Sequence, residues 1–181
     1  MDNNQIIKYN NGQLVKAGNY IAITEKILSL GEIHDAIFYF KRAEQKCELA
    51  NFLGALEDYT KAIEINPKYA MPYNNRGLSK IELNDYLGAI EDFNKAIENL
   101  PNFSNAYRYR GFVKNELKDY LGAIEDFNKS IEIKEQNGYA YHNRGISKHR
   151  LADKSFCDDW KKAEALGYKP SSDMIRRYCE F

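Results

Sequence analysis

The sequence predicts an all-α fold, a solenoid of stacked helix-turn-helix repeats, with a small N-terminal β-hairpin plus helix and a C-terminal capping helix. Three observations predict it. The eleven residues DYLGAIEDFNK occur twice, starting at Asp85 and at Asp119. Laid on each other without a gap, residues 70–103 and 104–137 agree at 19 of 34 positions, so the period is 34. Within one period the apolar residues keep helical spacing: Ile90, Phe93 and Ile97 lie at i, i+3, i+7, and Ala89, Phe93 and Ala96 at i, i+4, i+7.

The leader, residues 1–35, differs from the rest. IIKY-NNG-QLVK is two short β-compatible runs flanking an Asn-Asn-Gly turn, and NYIAITEKILSL has helical spacing from about Asn19 to Leu30. It is read as an N-terminal cap. The alternative is a docking or dimerising unit, since an open strand edge recruits other strands and would give a route to a homo-oligomer.

Four copies follow, at 36–69, 70–103, 104–137 and 138–168. They align Tyr39, Tyr73, Tyr107 and Tyr141 in one column, Arg42, Arg76, Arg110 and Arg144 in a second, and Ala43, Gly77, Gly111 and Gly145 in a third. In each copy two apolar helical halves are separated by a polar break such as Leu83-Asn84-Asp85, so each copy is a helical hairpin. Asn66-Pro67 and Leu100-Pro101 end second helices, because proline disfavours helical geometry in the residue before it and removes an N–H donor. The small residues Gly77, Gly111, Ala89 and Ala123 let helices cross closely while neighbouring Tyr and Phe fill the space. One hairpin cannot cover its own apolar face, so the copies must stack. The fourth copy is one residue shorter before its aromatic, Trp160, which places a deletion between Asp153 and Phe156. Residues 169–181 read as a closing helix with Ser171 or Ser172 as N-cap, Asp173 in its first turn, and Met174, Ile175 and Tyr178 buried.

Tyr at the fourth position, Gly or Ala at the eighth, Ala at the twentieth, Phe or Tyr at the twenty-fourth, Ala at the twenty-seventh and Pro at the thirty-second resemble the tetratricopeptide repeat over roughly residues 36 to 167. The resemblance implies a right-handed superhelix whose first helices line a concave groove. It also implies that positions two, five, six and nine of each repeat point into that groove. Here these are Met71, Asn74, Asn75 and Leu78, then Asn105, Arg108, Tyr109 and Phe112, then Tyr139, His142, Asn143 and Ile146. None of the four is identical between copies two and three, whereas the second helices nearly are. Divergence on a fixed scaffold points to distinct contacts; relaxed surface drift is the competing explanation. Asn suits a peptide backbone, Arg108 a carboxylate, and Tyr and Phe offer flat apolar area. Some relatives clamp a C-terminal carboxylate with Lys and Asn at positions five and nine of an early repeat, but copy one has Phe40 and Glu44 there. The leader is also similar to short N-terminal segments of unrelated bacterial proteins.

Composition narrows the function. The chain has 181 residues, 44% hydrophobic and 29% charged, the balance of a folded soluble protein. Lys and Arg total 26, as do Asp and Glu, so no global field gathers nucleic acid or anionic membrane. No apolar run reaches membrane-helix length and the first residues lack a secretory pattern, so a cytoplasmic location is expected. Cys47, Cys157 and Cys179 are odd in number and scattered, which argues for three reduced structural thiols.

Each repeated Arg precedes a repeated Asp, Asp92, Asp126 or Asp159, by about sixteen residues. Hairpin folding should pair Arg76 with Asp92 and Arg110 with Asp126 as structural forks rather than as a phosphate ladder. Glu91 with Lys95, and Glu125 with Lys129, are expected i, i+4 pairs. His142 and His149 sit about 10 Å apart along one helix, too far to share a metal ion. No phosphate loop, nucleophile elbow or H-E-x-x-H occurs, so no catalytic residue, metal or cofactor is expected. The sequence therefore predicts a non-enzymatic scaffold binding a protein or peptide in the groove. The second reading is a nucleic-acid or regulatory adaptor using Arg108, Lys114, Lys118 and the basic C-terminus.

Overall fold

The alternation of small and large residues inside each 34-residue copy fixes how its helices meet. The computed structural model describes residues 6–8, 14–16 and 32–179. Over 32–179 it runs α1 Glu32–Glu48, α2 Phe52–Ile65, α3 Ala70–Glu82, α4 Tyr86–Asn99, α5 Ser104–Glu116, α6 Tyr120–Ile133, α7 Gly138–Arg150, α8 Phe156–Ala165 and α9 Pro170–Tyr178. In the leader, β1 Ile6–Lys8 pairs antiparallel with β2 Leu14–Lys16, Ile6 opposite Lys16. The expected helix 19–30 and the turn between the strands lie outside the described residues.

Successive helices pack as hairpins: α1 with α2, α3 with α4, α5 with α6, and α7 with α8. Each second helix then packs on the next first helix, and α8 packs on α9. First helices also touch in series, α1 to α3, α3 to α5 and α5 to α7, which makes one continuous face. This is the predicted all-α solenoid.

The turn inside each hairpin has a common local cause. Ala50, Asn84, Lys118 and Ala152 take φ of 55°, 61°, 64° and 57°, the left-handed conformation that stops the first helix. The next residue restarts the chain: Asn51, Asp85 and Asp119 accept at 3.0 Å from the N–H groups of Gly54, Gly88 and Gly122. The fourth copy has lost this cap. There Asp153 accepts from the N–H and O–H of Ser155, each at 2.9 Å, and α8 starts at Phe156. Asn66, Leu100 and Lys134 end second helices with nearly the same backbone, although only the first two precede proline.

Inside a hairpin the core is a glycine meeting an aromatic. A Cβ at Gly77 would lie 2.8 Å from Phe93, and one at Gly145 would lie 2.5 Å from Trp160. Phe93, Phe127 and Trp160 are fully buried, with Ala89, Ala96, Ala106 and Val113 around the first. Losing such a ring costs about 3 to 5 kcal/mol.

The arginine column is structural, and it does more than pair. Arg76 donates from Nε and Nη2 to the two oxygens of Asp92 at 2.9 and 2.6 Å, and Arg110 does the same to Asp126 at 2.9 and 2.5 Å. Arg42–Asp58 and Arg144–Asp159 repeat the fork. A lysine four residues on completes each site: Lys46, Lys80, Lys114 and Lys148 lie 2.8 to 2.9 Å from the same aspartates. The remaining arginine nitrogen, Nη1, reaches the preceding repeat, at Thr60 from Arg76, Asn94 from Arg110 and Asn128 from Arg144. Arg76, Arg110 and Arg144 thus each tie the two helices of their own hairpin to the hairpin before it. Arg42 and Lys46 hold the Asp58 carboxyl below the usual carboxylate range against the cost of its burial.

Three expectations need correction. Cys157 and Cys179 form a disulfide with a Cα–Cα separation of 5.8 Å, because α9 folds back onto α8, and only Cys47 is free. Lys95 pairs with Glu98 at 2.7 Å and Lys129 with Glu132 at 2.9 Å, instead of with Glu91 and Glu125. Ser171 and Ser172 do not cap α9, which starts at Pro170. Ser171 is buried, while Asp173 does sit in the first turn and Ile175 is buried.

Candidate functional site

The face built by α1, α3, α5 and α7 carries the residues expected to line a groove, and neighbouring elements decide which of them are reachable. Met71 and Asn105 are exposed; Asn75, Leu78, Arg108, Tyr109, Phe112, Tyr139 and Ile146 are half-buried. Asn74, His142 and Asn143 are buried, with 4%, 8% and 8% exposure, which removes them from the open surface. Asn74 turns its amide onto Asn75 Oδ1 at 3.0 Å. Asn143 donates to the Tyr139 carbonyl at 3.0 Å. His142 lies under the closing helix. Its Nδ1 shares a 2.8 Å hydrogen bond with Ser171 Oγ, its ring packs 4.9 Å from that of Tyr168, and its carbonyl accepts from Trp160 Nε1. Burial holds its pKa below the usual 6.5. The expectation that His142 offers a free side chain therefore fails, because the C-terminal segment covers the last first-helix.

Arg108 is a cation on this face that has no ion pair among the described residues. Its guanidinium carbon lies 3.9 Å from the ring centroid of Tyr109 and 4.7 Å from that of Tyr139. Planar guanidinium groups stack on aromatic faces and keep their N–H edges free to donate. Among the described residues no carboxylate lies within ion-pair distance of Arg108, unlike the four column arginines. Tyr139 is pushed up to about 12, mainly by burial, with the Arg108 charge opposing the rise. Tyr109 also stacks on Phe93 with ring centroids 6.0 Å apart, so it belongs to the core as well as to the face. A change at Tyr109 therefore costs stability as well as any contact on the face.

Described residues of the face line a larger and a smaller recess. The larger, about 500 Å³, lies across α1, α3 and α5 and is lined by Asn75, Leu78 and Tyr109 from the expected set. Sequence reasoning missed the rest of its lining, Glu44, Cys47, Glu48, Phe52, Tyr59, Ser79 and Glu82. The missed signal is a column at the thirteenth position of each copy, which reads Glu48, Glu82, Glu116 and then Arg150. The smaller recess, about 220 Å³, involves Asn115, Glu116, Lys118, Tyr120, Asn143, Ile146 and Arg150. Lys114, assigned to a basic surface from the sequence, is held by Asp126 at 2.8 Å and donates to the Gly122 carbonyl at 3.3 Å. The basic-surface reading loses that residue.

Comparison with known proteins follows the same lines. No curated protein matches the sequence. Among solved structures, MamA superposes with a TM-score of 0.71 at 21% identity, over 82% of this chain and 86% of that one. The tetratricopeptide domain of Arabidopsis OM64 gives 0.64 at 25% identity over 66% and 98%. The second such domain of human RPAP3, determined in complex with an HSP70 peptide, gives 0.63 at 24% identity over 65% and 98%. Residues 72–102 match the tetratricopeptide repeat family. That match falls on α3 and α4, and the Gly-aromatic and Arg-Asp-Lys hairpin recurs on either side of it, so the chain shares the tetratricopeptide-repeat fold of these structures and carries one segment that matches the family.

Proposed function

We propose that the face formed by the first helices binds an extended segment of a protein partner, with Arg108 at its centre, and that the chain acts as a non-enzymatic scaffold. The observation that carries this reading is the unspent Arg108. Each column arginine is consumed by a buried aspartate, whereas Arg108 lies against the rings of Tyr109 and Tyr139 with no hydrogen-bond or ion-pair partner among the described residues. A preorganised cation on aromatic ground is the kind of group that carries interface energy. The peptide-bound human neighbour supports the use of this fold for such a task. Copies 36–69, 70–103, 104–137 and 138–168 serve as the stacking units of that scaffold.

No described helix is long and apolar enough to cross a membrane. The cysteine argument for a cytoplasmic location falls with the Cys157–Cys179 disulfide, which belongs to an oxidising environment.

The test is binding of peptides selected from a random twelve-residue display library to the wild type and to Arg108→Ala, with thermal melts alongside. The expected result is a loss of about 1 to 3 kcal/mol in affinity with the melt nearly unchanged. Equal affinity in both proteins would remove Arg108 from the site.

A further inference from the structure

We infer that the larger recess selects a lysine or arginine side chain of the bound segment, so that the partner carries a basic residue where it crosses α1 and α3. This rests on the groove reading above and adds the chemistry of one subsite. The recess is lined by three carboxylates, Glu44, Glu48 and Glu82, and by no Lys, Arg or His. Glu44 shares one cation, Lys41 at 2.7 Å, while Glu48 and Glu82 have no ion-pair partner among the described residues. The scaffold neutralises each of its four buried aspartates with two cations, whereas Glu48 and Glu82 keep exposed, unpaired charge at the recess.

The walls fit the rest of such a side chain. Phe52, Tyr59, Leu78 and Tyr109 offer apolar and aromatic surface, against which a Lys or Arg stem buries its methylenes while the head reaches charge. Burial raises the Tyr59 phenol further above its ordinary value, so it stays neutral and adds no anion. Among the described residues no three His, Cys, Asp or Glu converge closely enough to hold a metal ion. The carboxylates are spread along the recess, which suits a long side chain or two neighbouring ones better than a point charge.

The opposite end of the face has a different sign. Lys118 and Arg150 border the smaller recess beside Glu116, the acidic column turning to Arg only at its fourth place, and Arg108 stands on Tyr109 where the two halves meet. Two cations against one carboxylate there, and three carboxylates with no cation in the larger recess, favour a basic residue in the α1–α3 half. This gives the segment a direction along the solenoid.

Cys47 supplies a reporter on the floor. Its thiol lies 3.3 Å from Ser79 Oγ and 3.7 Å from the Tyr59 hydroxyl, and it is the free cysteine of the chain. The full chain is used to select peptides from a random twelve-residue display library. Enriched sequences are then made as free peptides and titrated, with maleimide labelling of Cys47 followed in parallel. The inference expects a shared Lys or Arg, an affinity drop of about tenfold when that residue is replaced by Met, and slowed Cys47 labelling. It expects Glu48→Gln with Glu82→Gln to weaken binding, and Glu48→Lys with Glu82→Lys to enrich acidic peptides instead. Melts accompany both pairs, and the Gln pair keeps the question answerable if the Lys pair unfolds. Peptides that share no basic residue but need Arg108 overturn the inference and leave the groove reading standing. Peptides with a basic residue that shield Cys47 but ignore Arg108→Ala do the reverse. A selection that enriches nothing overturns both.

Discussion

α5 and α7 hold equivalent places in successive hairpins, yet the fifth residue of each does opposite work. In α5 it is Arg108, lying against the rings of Tyr109 and Tyr139 with no hydrogen-bond or ion-pair partner among the described residues. In α7 it is His142, buried under α9 and tied to Ser171. The backbone, the Gly-aromatic contact and the Arg-Asp-Lys site are the same in both, so the difference does not come from the hairpin. It comes from what stacks next. At Arg108 the seam with α7 leaves part of the side chain open, whereas α9 seals His142; Phe40 and Asn74, the fifth residues of the first two copies, are buried as well, so the open fifth position belongs to the third copy. The end of the solenoid gives up a binding position for a cover.

The largest expected effect tests the shared part of that comparison. Asp126→Ala in the third hairpin and Asp159→Ala in the fourth each leave an Arg and a Lys unpaired around a buried site, and each should cost about 3 to 5 kcal/mol in denaturant unfolding. The two costs should agree within about 1 kcal/mol. A markedly cheaper Asp159→Ala would mean that the fourth hairpin is held by its cover instead of by the repeat.

The next effect belongs to the covered end alone. Cys157→Ser opens a disulfide that closes a separation of 22 residues, and the chain-entropy account puts its worth at about 3 kcal/mol. Reducing the wild type should lower the melting temperature as much as the substitution does. Reductant should leave Cys157→Ser unmoved; a further fall in that variant would show that the cross-link is not the cause.

How much of this was legible follows from what repeats. The period, the hairpins and the Arg76–Asp92 and Arg110–Asp126 forks could be read from the sequence because stacking imposes the same requirement on every copy. Lys80 and Lys114 were hidden as third members of those sites, since a lysine on a helix looks like an exposed charge until the fold places it. The column Thr60, Asn94 and Asn128, which takes the spare arginine nitrogen, was visible only once the Arg direction was known. Features made by one element covering another left no periodic trace: Ser171 on His142, and Cys157 on Cys179. The acidic recess escaped because the groove positions were taken from copies two to four, while Glu44, Glu48 and Cys47 come from copy one.

A smaller effect probes the cover directly. Ser171→Ala removes the partner of a buried histidine and should cost about 1 to 3 kcal/mol. The same contact carries a pH dependence. His142 is held below its usual pKa of 6.5, so below that pH the unfolded chain takes up the proton first and stability falls as the pH drops through the lowered value. Above 6.5 the contribution is fully present. Melts recorded from pH 8 down to 5 should show this loss in the wild type and not in His142→Gln. An identical pH profile in both would place the titrating group elsewhere.

The smallest effect concerns the turn that both hairpins share. Lys118 and Ala152 each follow the last turn of a first helix with φ of 64° and 57°. A side chain there costs about 1 to 2 kcal/mol, because its Cβ crowds the following carbonyl, and glycine avoids that at an unfolded-state entropy cost of about 0.5 to 1 kcal/mol. The difference predicts a gain of about 0.5 kcal/mol for Lys118→Gly and for Ala152→Gly, read as a rise in denaturation midpoint at constant m-value. Ala152 is exposed, so its gain measures the turn alone. Lys118 also borders the smaller recess, so its substitution reports the turn plus whatever its stem contributes there. Equal gains would show that the open and the covered hairpins share one local geometry and differ only in what lies on top. A loss at Lys118 with a gain at Ala152 would show instead that the third hairpin already spends side-chain packing on its open face, and the contrast between α5 and α7 would then begin inside the repeat.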